Sequence, residues 1–140
     1  MSKYILDTDH ISLILFNHPQ VTENAAKHQI ATSIVTVQEL FNGWIGQIND
    51  PAQINNLPAL YSKLSTTLKY LQTVEVLDFT VEADECLKNL LSANPPLRKN
   101  RLQKDMRIAA IALSLDLTVA TRNRKDFELV PNLNLVDWTQ

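Results

Sequence analysis

Four stretches far apart in the chain place oxygen-bearing side chains where they can do chemistry. Asp7 follows the short apolar run Tyr4-Ile5-Leu6. Glu39 stands early in an apolar-periodic segment, and Asp105 heads another. Asn123 and Asp126 follow the β-branched run Thr118–Thr121. Gathered at one place, three carboxylates cannot all stay ionised unaided, because two unit charges about 4 Å apart repel by about 4 kcal/mol at an effective dielectric near 20. They hold protons at raised pKa, or a cation sits among them. Donors that are all oxygen favour Mg²⁺ or Mn²⁺ over zinc. Asp7 and Asp105 are the expected metal ligands for one or two ions, with Glu39 sharing the site and Asn123 assisting. Thr121 is placed to orient a ligand or water, and Asp126 to contribute through water.

Each acid also has a quieter explanation. Asp9 can cap a helix beginning at His10. Glu39 lies three residues after Thr36, the spacing of a capping box. Asp105 can complement a helix dipole. However, Ile108, Ala109 and Ala112 follow Asp105 on one helical face, so its carboxylate is aimed at the edge of a core. His10, His18 and His28 read as surface or packed residues.

The elements that must position these groups alternate strand with helix. Strand signals fall at Tyr4–Leu6, Ile30–Thr32, Val74–Leu77, Thr118–Thr121 and Leu133–Val136. All are short, apolar and without clean alternation, as in buried parallel strands. Helical spacing appears at His10–Phe16, Thr36–Ile48, Leu57–Leu71, Thr80–Leu91 and Asp105–Leu115. This pattern predicts a three-layer α/β/α domain with right-handed crossovers and a mainly parallel sheet of four to five strands. In such sheets ligands bind beyond the carboxyl ends of the strands, where strand order reverses. That edge is where Asp7, Glu39, Asp105 and Asn123 fall.

A chain of 140 residues forms a single domain, here residues 1–140. Two helices between the second and third strands exceed what one crossover needs. The hairpin spanning about 36–71, rich in Phe41, Trp44, Leu60, Tyr61 and Leu68, is the expected partner or dimer surface. Ser92–Asn100, with Pro95-Pro96, is the expected mobile segment. With two glycines, Gly43 and Gly46, the chain has no glycine-rich phosphate cradle. A single cysteine, Cys86, excludes an internal disulfide framework and fits a reducing cytoplasm. The acids in the opening apolar run argue against a signal peptide, and the apolar runs are too short to span a membrane.

The net charge of -2 conceals an imbalance. Between Arg98 and Lys125 stand eight basic residues against Asp105 and Asp116, giving +6 for that stretch and -8 for the remainder. A strip of this kind suits a polyphosphate backbone. Arg101, Lys104, Arg122 and Arg124 are the expected phosphate contacts. Hard cations held by carboxylates beside a phosphate-binding strip suit phosphodiester hydrolysis, so the residues point to a nuclease.

Four segments carry a resemblance to a known family. Ile5-Leu6-Asp7-Thr8-Asp9-His10-Ile11-Ser12, Thr36-Val37-Gln38-Glu39-Leu40, Asp105-Met106-Arg107-Ile108-Ala109-Ala110 and Thr121-Arg122-Asn123-Arg124-Lys125-Asp126-Phe127 resemble the PIN domain, and within it the VapC toxins of toxin–antitoxin pairs. The ending Leu135-Val136-Asp137-Trp138 is similar too. The resemblance implies a PIN-like α/β/α fold and a Mg²⁺- or Mn²⁺-dependent endoribonuclease; in-line attack by water would leave 5′-phosphate and 3′-hydroxyl ends. It also implies an RNA substrate, a VapB-type antitoxin partner and a homodimer. The family's acidic positions fall on Asp7, Glu39 and Asp105, and its fourth, often aspartate, on Asn123. The glycine that family members often carry shortly before the third acid is absent from Asn100–Lys104. Two alternatives remain open to the sequence. One is a PIN-like module that holds RNA or protein without cutting. The other is an aspartyl phosphatase, since Asp7-Thr8-Asp9 also resembles a D-x-D motif.

Overall fold

A computed structural model describes residues 2–140. In chain order the elements are β1 (Lys3–Leu6), α1 (Thr8–Leu15), α2 (Pro19–Lys27), β2 (Gln29–Ser33), α3 (Ile34–Ile48) and α4 (Leu57–Leu71). There follow β3 (Glu75–Leu77), α5 (Val81–Ala93), α6 (Gln103–Leu115), β4 (Thr118–Ala120), α7 (Arg124–Phe127) and β5 (Leu135–Val136). Short 3-10 turns occupy Pro51–Asn56, Pro95–Arg98 and Asn100–Leu102.

All strand pairings are parallel, in the order β3-β2-β1-β4-β5. Successive residues on a strand face opposite sides of the sheet, and here both sides are packed. Ile5 and Val119 join α5 and α6 through Ala83, Leu90, Met106, Ile108 and Ile111. Their neighbours Leu6 and Ala120 face the other way, against Ile11, Val21, Leu40, Leu71 and Trp138. Two apolar layers on one sheet give the expected three-layer α/β/α architecture, and they explain why the strands read as continuous apolar runs.

The order places β1 centrally. The chain steps from β1 through β2 to β3 on one side, then crosses to β4 and β5 on the other. The switch point is therefore the gap between the carboxyl ends of β1 and β4. Asp7 emerges from one and Thr121 from the other.

Local structure departs from the sequence expectations in four places. Helix α1 starts at Thr8, not His10. Its N-cap is Asp7, whose Oδ1 accepts from the Thr8 backbone N–H at 2.7 Å. The capping explanation for Asp9 is thereby displaced by two residues. Helix α3 starts at Ile34 because Ser33 caps it, its hydroxyl accepting from Thr36 N–H at 3.0 Å. Thr36 is thus inside the helix, and Glu39 is not its capping-box partner. Helix α2 was not expected. It opens with Pro19 and buries only Val21, too sparse an apolar face to announce itself. Finally, the Ser92–Asn100 stretch is built rather than open: Leu97 is 3% exposed, and Arg98 Nε donates to Leu91 O at 3.0 Å. With so few glycines, the left-handed positions fall to Asn17, Asp116 and Asn132, residue types that tolerate them.

Candidate active site

The crevice between β1 and β4 is built from the backbone outward. Thr121 directly follows β4, with its side chain fully buried. Its hydroxyl lies 2.9 Å from Asp7 Oδ2 and 3.2 Å from Asp9 Oδ2, and accepts from the Asn123 backbone N–H at 2.9 Å. One hydroxyl thus fixes an acid on β1's end and the turn that follows β4. Asp7 is 5% exposed. Both its oxygens are occupied, Oδ1 by Thr8 N–H and Oδ2 by Thr121.

On the β2 side, Thr8 reaches across the crevice. Its hydroxyl donates to Glu39 Oε1 at 2.7 Å and lies 3.2 Å from Thr36 Oγ1. Glu39 is thereby turned toward α1. On the β4 side, Asn123 Nδ2 donates to Asp105 Oδ2 at 2.9 Å and to Asp126 Oδ2 at 3.1 Å. The amide bridges two carboxylates that would otherwise repel. Asp126 is also held by Arg101 at 2.9 Å. That ion pair, more than any other contact, keeps its carboxyl below the ordinary range.

The electrostatics show that the acids converge. Asp7 is pushed up from 3.8 to about 7, first by burial, then by the charges of Asp9 and Asp105. Asp105 is pushed up to about 6 by burial, then by the charges of Glu39 and Asp126. These two carboxyls, with Glu39 and Asp9, converge from three separate chain segments.

Donor chemistry tests the fit of a cation. The set is oxygen alone, and two of its carboxyls are held partly protonated near neutrality for want of a counter-charge. This suits a hard divalent ion held between Asp7 and Asp105. Among the described residues, no three histidine, cysteine, aspartate or glutamate side chains are already drawn together as a cation cage. The expected ligands therefore face one crevice without closing on a centre.

The remaining expected residues divide by their partners. Arg101 is committed to Asp126, and Arg124 pairs with Glu128 at 3.3 Å. Arg122 is exposed at the crevice mouth, its backbone N–H donating to Asp9 Oδ2 at 3.1 Å. Lys104 is half-buried one residue before Asp105. Sequence reasoning missed Thr8 and Asp9. Both lie in the Asp7-Thr8-Asp9 segment, and helical phase from an Asp7 cap would have turned them inward.

A parallel sheet of order 3-2-1-4-5, packed on both faces and carrying acids at its switch point, defines a PIN-like α/β/α domain. Within that class the chain is VapC-like along its whole length. It is 25% identical to the ribonuclease VapC1 of Haemophilus influenzae (strain R2866), over 98% of both chains. DNA-bound VapBC from Salmonella typhimurium shares the fold with a TM-score of 0.77 at 24% identity, over 99% of each chain. VapBC-1 from nontypeable Haemophilus influenzae gives 0.79 at 23% identity, again over 99% of each. VapBC2 from Rickettsia felis, bound to a promoter DNA fragment, gives 0.71 at 26% identity over 97% and 98%. No family model matches the chain.

Proposed function

We propose that this chain is a metal-dependent endoribonuclease, the toxin of a type II toxin–antitoxin pair. The observation that carries the reading is the convergence of Asp7, Glu39, Asp105 and Asn123 at the β1/β4 switch point, with two carboxyls raised toward neutrality. The likeness to VapC ribonuclease over the full length supports the same activity.

Asp7 and Asp105 would hold one or two Mg²⁺ or Mn²⁺ ions, with Asn123 fixing the rotamer of Asp105. A bound cation supplies Lewis acidity, lowers the pKa of the attacking water and stabilises charge on the leaving oxygen. Thr121 and Thr8 do the positioning. Thr121 holds the Asp7 carboxyl, and Thr8 holds Glu39 by one oxygen while its other oxygen has no hydrogen bond from a described residue. Glu39 is the carboxylate suited to accept the proton of the attacking water. In-line attack on the phosphodiester leaves a 5′-phosphate and a 3′-hydroxyl. Arg122 and Lys104 bind the RNA backbone as they stand. Arg101 and Arg124 join only by exchanging exposed ion pairs, which costs about 1 kcal/mol or less each.

Asp9 argues against the aspartyl-phosphatase alternative. Its carboxyl is engaged by His10 and the Arg122 backbone N–H and lies 3.2 Å from the Thr121 hydroxyl, so it is turned to the β4 turn and not to a leaving group.

The partner reading belongs to the α3–α4 hairpin. It exposes Ile45, Tyr61 and Leu68, and a groove of about 250 Å³ runs along α3 from Glu39 past Leu40 to Trp44, with Phe16 opposite. An antitoxin of the VapB type seated there would lie against the acid site. The solved VapBC complexes support such a partner. A homodimer through another face is part of the same proposal. So is a cytoplasmic location, with which the free Cys86 agrees; no helix among the described residues is long and apolar enough to cross a membrane.

The deciding experiment is cleavage of total cellular RNA by the purified protein with Mg²⁺, with Mn²⁺ and with EDTA, mapping the ends produced. Discrete 5′-phosphate ends that need the cation and vanish in Asp7→Asn and Asp105→Asn support the reading. Tight RNA binding with no metal-stimulated cleavage overturns it in favour of a binding module.

A further inference from the structure

His10 is fully buried beside the acid site and has no part in the mechanism above. Its ring joins two places distant in sequence. Nδ1 lies 2.8 Å from Asp9 Oδ1. Nε2 accepts the backbone N–H of Trp138 at 3.1 Å. The nearest oxygen of Asp137 is 3.9 Å from Nε2, too long for a hydrogen bond. The ring also packs against the Trp138 indole, with centroids 6.0 Å apart.

These contacts fix the tautomer. A nitrogen that accepts a backbone N–H carries no proton of its own, so the single ring proton sits on Nδ1 and is donated to Asp9. The direction of that bond matters because of what Asp9 does next. Asp9 accepts from the Arg122 N–H and lies 3.2 Å from the Thr121 hydroxyl, and so holds the turn that carries Asn123 at its working position. Asp9 has 31% of its side chain exposed, so water would compete for it if nothing buried held it.

We propose that His10 is a positioning residue of the acid site: its Nδ1–H orients Asp9, and through Asp9 the Thr121-Arg122-Asn123 turn, while its Nε2 moors the ring to the C-terminal segment. The inference rests on the nuclease reading for its activity readout, though not for its structural one. It gives His10 a role in catalysis without its touching substrate, and the segment at Trp138 the part of holding its ring.

Two isosteric variants separate the arms of the ring. Asparagine places an amide near Nδ1 and keeps a donor for Asp9 while losing the Trp138 acceptor. Glutamine places its amide near Nε2 and keeps the mooring while losing the donor. Single-turnover cleavage and thermal unfolding are measured for wild type, His10→Asn and His10→Gln. The expected result is that His10→Gln loses about 10-fold or more in the single-turnover rate constant at saturating protein, with RNA affinity little changed, and that His10→Asn cleaves within a few-fold of wild type even where it melts earlier. Adding His10→Gln to Asp9→Ala should cost nothing further. Long-range ¹⁵N correlation spectra of the metal-free protein should show His10 protonated at Nδ1 and bare at Nε2. A ring protonated at Nε2 overturns the proposal, as does a pair of variants whose activity losses simply follow their melting temperatures. If wild type itself does not cleave RNA, the nuclease reading fails while the tautomer still decides the hydrogen-bond direction.

Discussion

Replacing Asp7 by asparagine should make the metal-free protein more stable, and more so at high pH. Asp7 carries a folded-state pKa of about 7 against 3.8 for an ordinary aspartate. The folded state thus binds the proton more tightly than the unfolded state. The sign follows from that. Stability is fully present below about pH 4 and is lost as pH rises toward 7, because ionising Asp7 costs more inside the crevice than in the unfolded chain. At about 1.36 kcal/mol per pKa unit, the loss is about 4 kcal/mol at pH 8 and about 2 kcal/mol at pH 5. Asparagine is neutral at both. Whatever its amide costs in fit against Thr8 and Thr121 is the same at both pH values, so the difference between the two isolates the charge. Urea unfolding of wild type and Asp7→Asn in EDTA should show the variant's relative stability rising by about 2–3 kcal/mol from pH 5 to pH 8. Mg²⁺ should then restore the wild type alone, by about 2.7 kcal/mol at a hundredfold excess over its Kd. An identical stability difference at the two pH values would mean that Asp7 titrates normally and that the acids do not form a strained cluster.

Three further outcomes follow from the geometry. Asn123→Asp places a third charge between Asp105 and Asp126, so calorimetry should show a protein destabilised by roughly 1–3 kcal/mol without cation and binding Mn²⁺ more tightly than wild type. Thr121→Val removes the donor to Asp7 Oδ2 and the acceptor for Asn123 N–H; unfolding should show a cost of about 1–3 kcal/mol at neutral pH, with RNA cleavage reduced more than RNA binding. Leu97→Ala should destabilise by about 2–5 kcal/mol because Leu97 lies in the core beside α5 and α6; unfolding at the wild-type midpoint would mean that the Pro95–Arg98 turn is loose after all.

The existence and order of the strands were legible because each is a short apolar run between helical spacings, and the parallel topology then located the site. Thr36–Ile48 and His10–Phe16 started late for one shared reason. Their caps, Asp7 and Ser33, come immediately after the strand signals Tyr4–Leu6 and Ile30–Thr32, so each helix begins with no intervening loop. That shift concealed Thr8 and Asp9, whose roles depend on helical phase. Asp7, Glu39 and Asp105 were legible as polar residues at the right edge. The spending of Arg101 on Asp126 and Arg124 on Glu128 was not, since it depends on turns around Asn123 that no periodicity describes. The ring orientation of His10 was invisible for the same cause: its partner lies 128 residues away.

The central strand has a consequence in time. β1 has a neighbour on each side, and the one at the site, β4, begins at Thr118. A chain growing from its amino end can pair β1 with β2 early. It cannot set Thr121 against Asp7, or Asn123 against Asp105, until nearly nine-tenths of its residues exist. Contacts of such span close late in folding. On the nuclease reading, products of translation that stop short of β4 lack Thr121 and Asn123 and are expected to be inactive, because neither Asp7 nor Asp105 then has its partner.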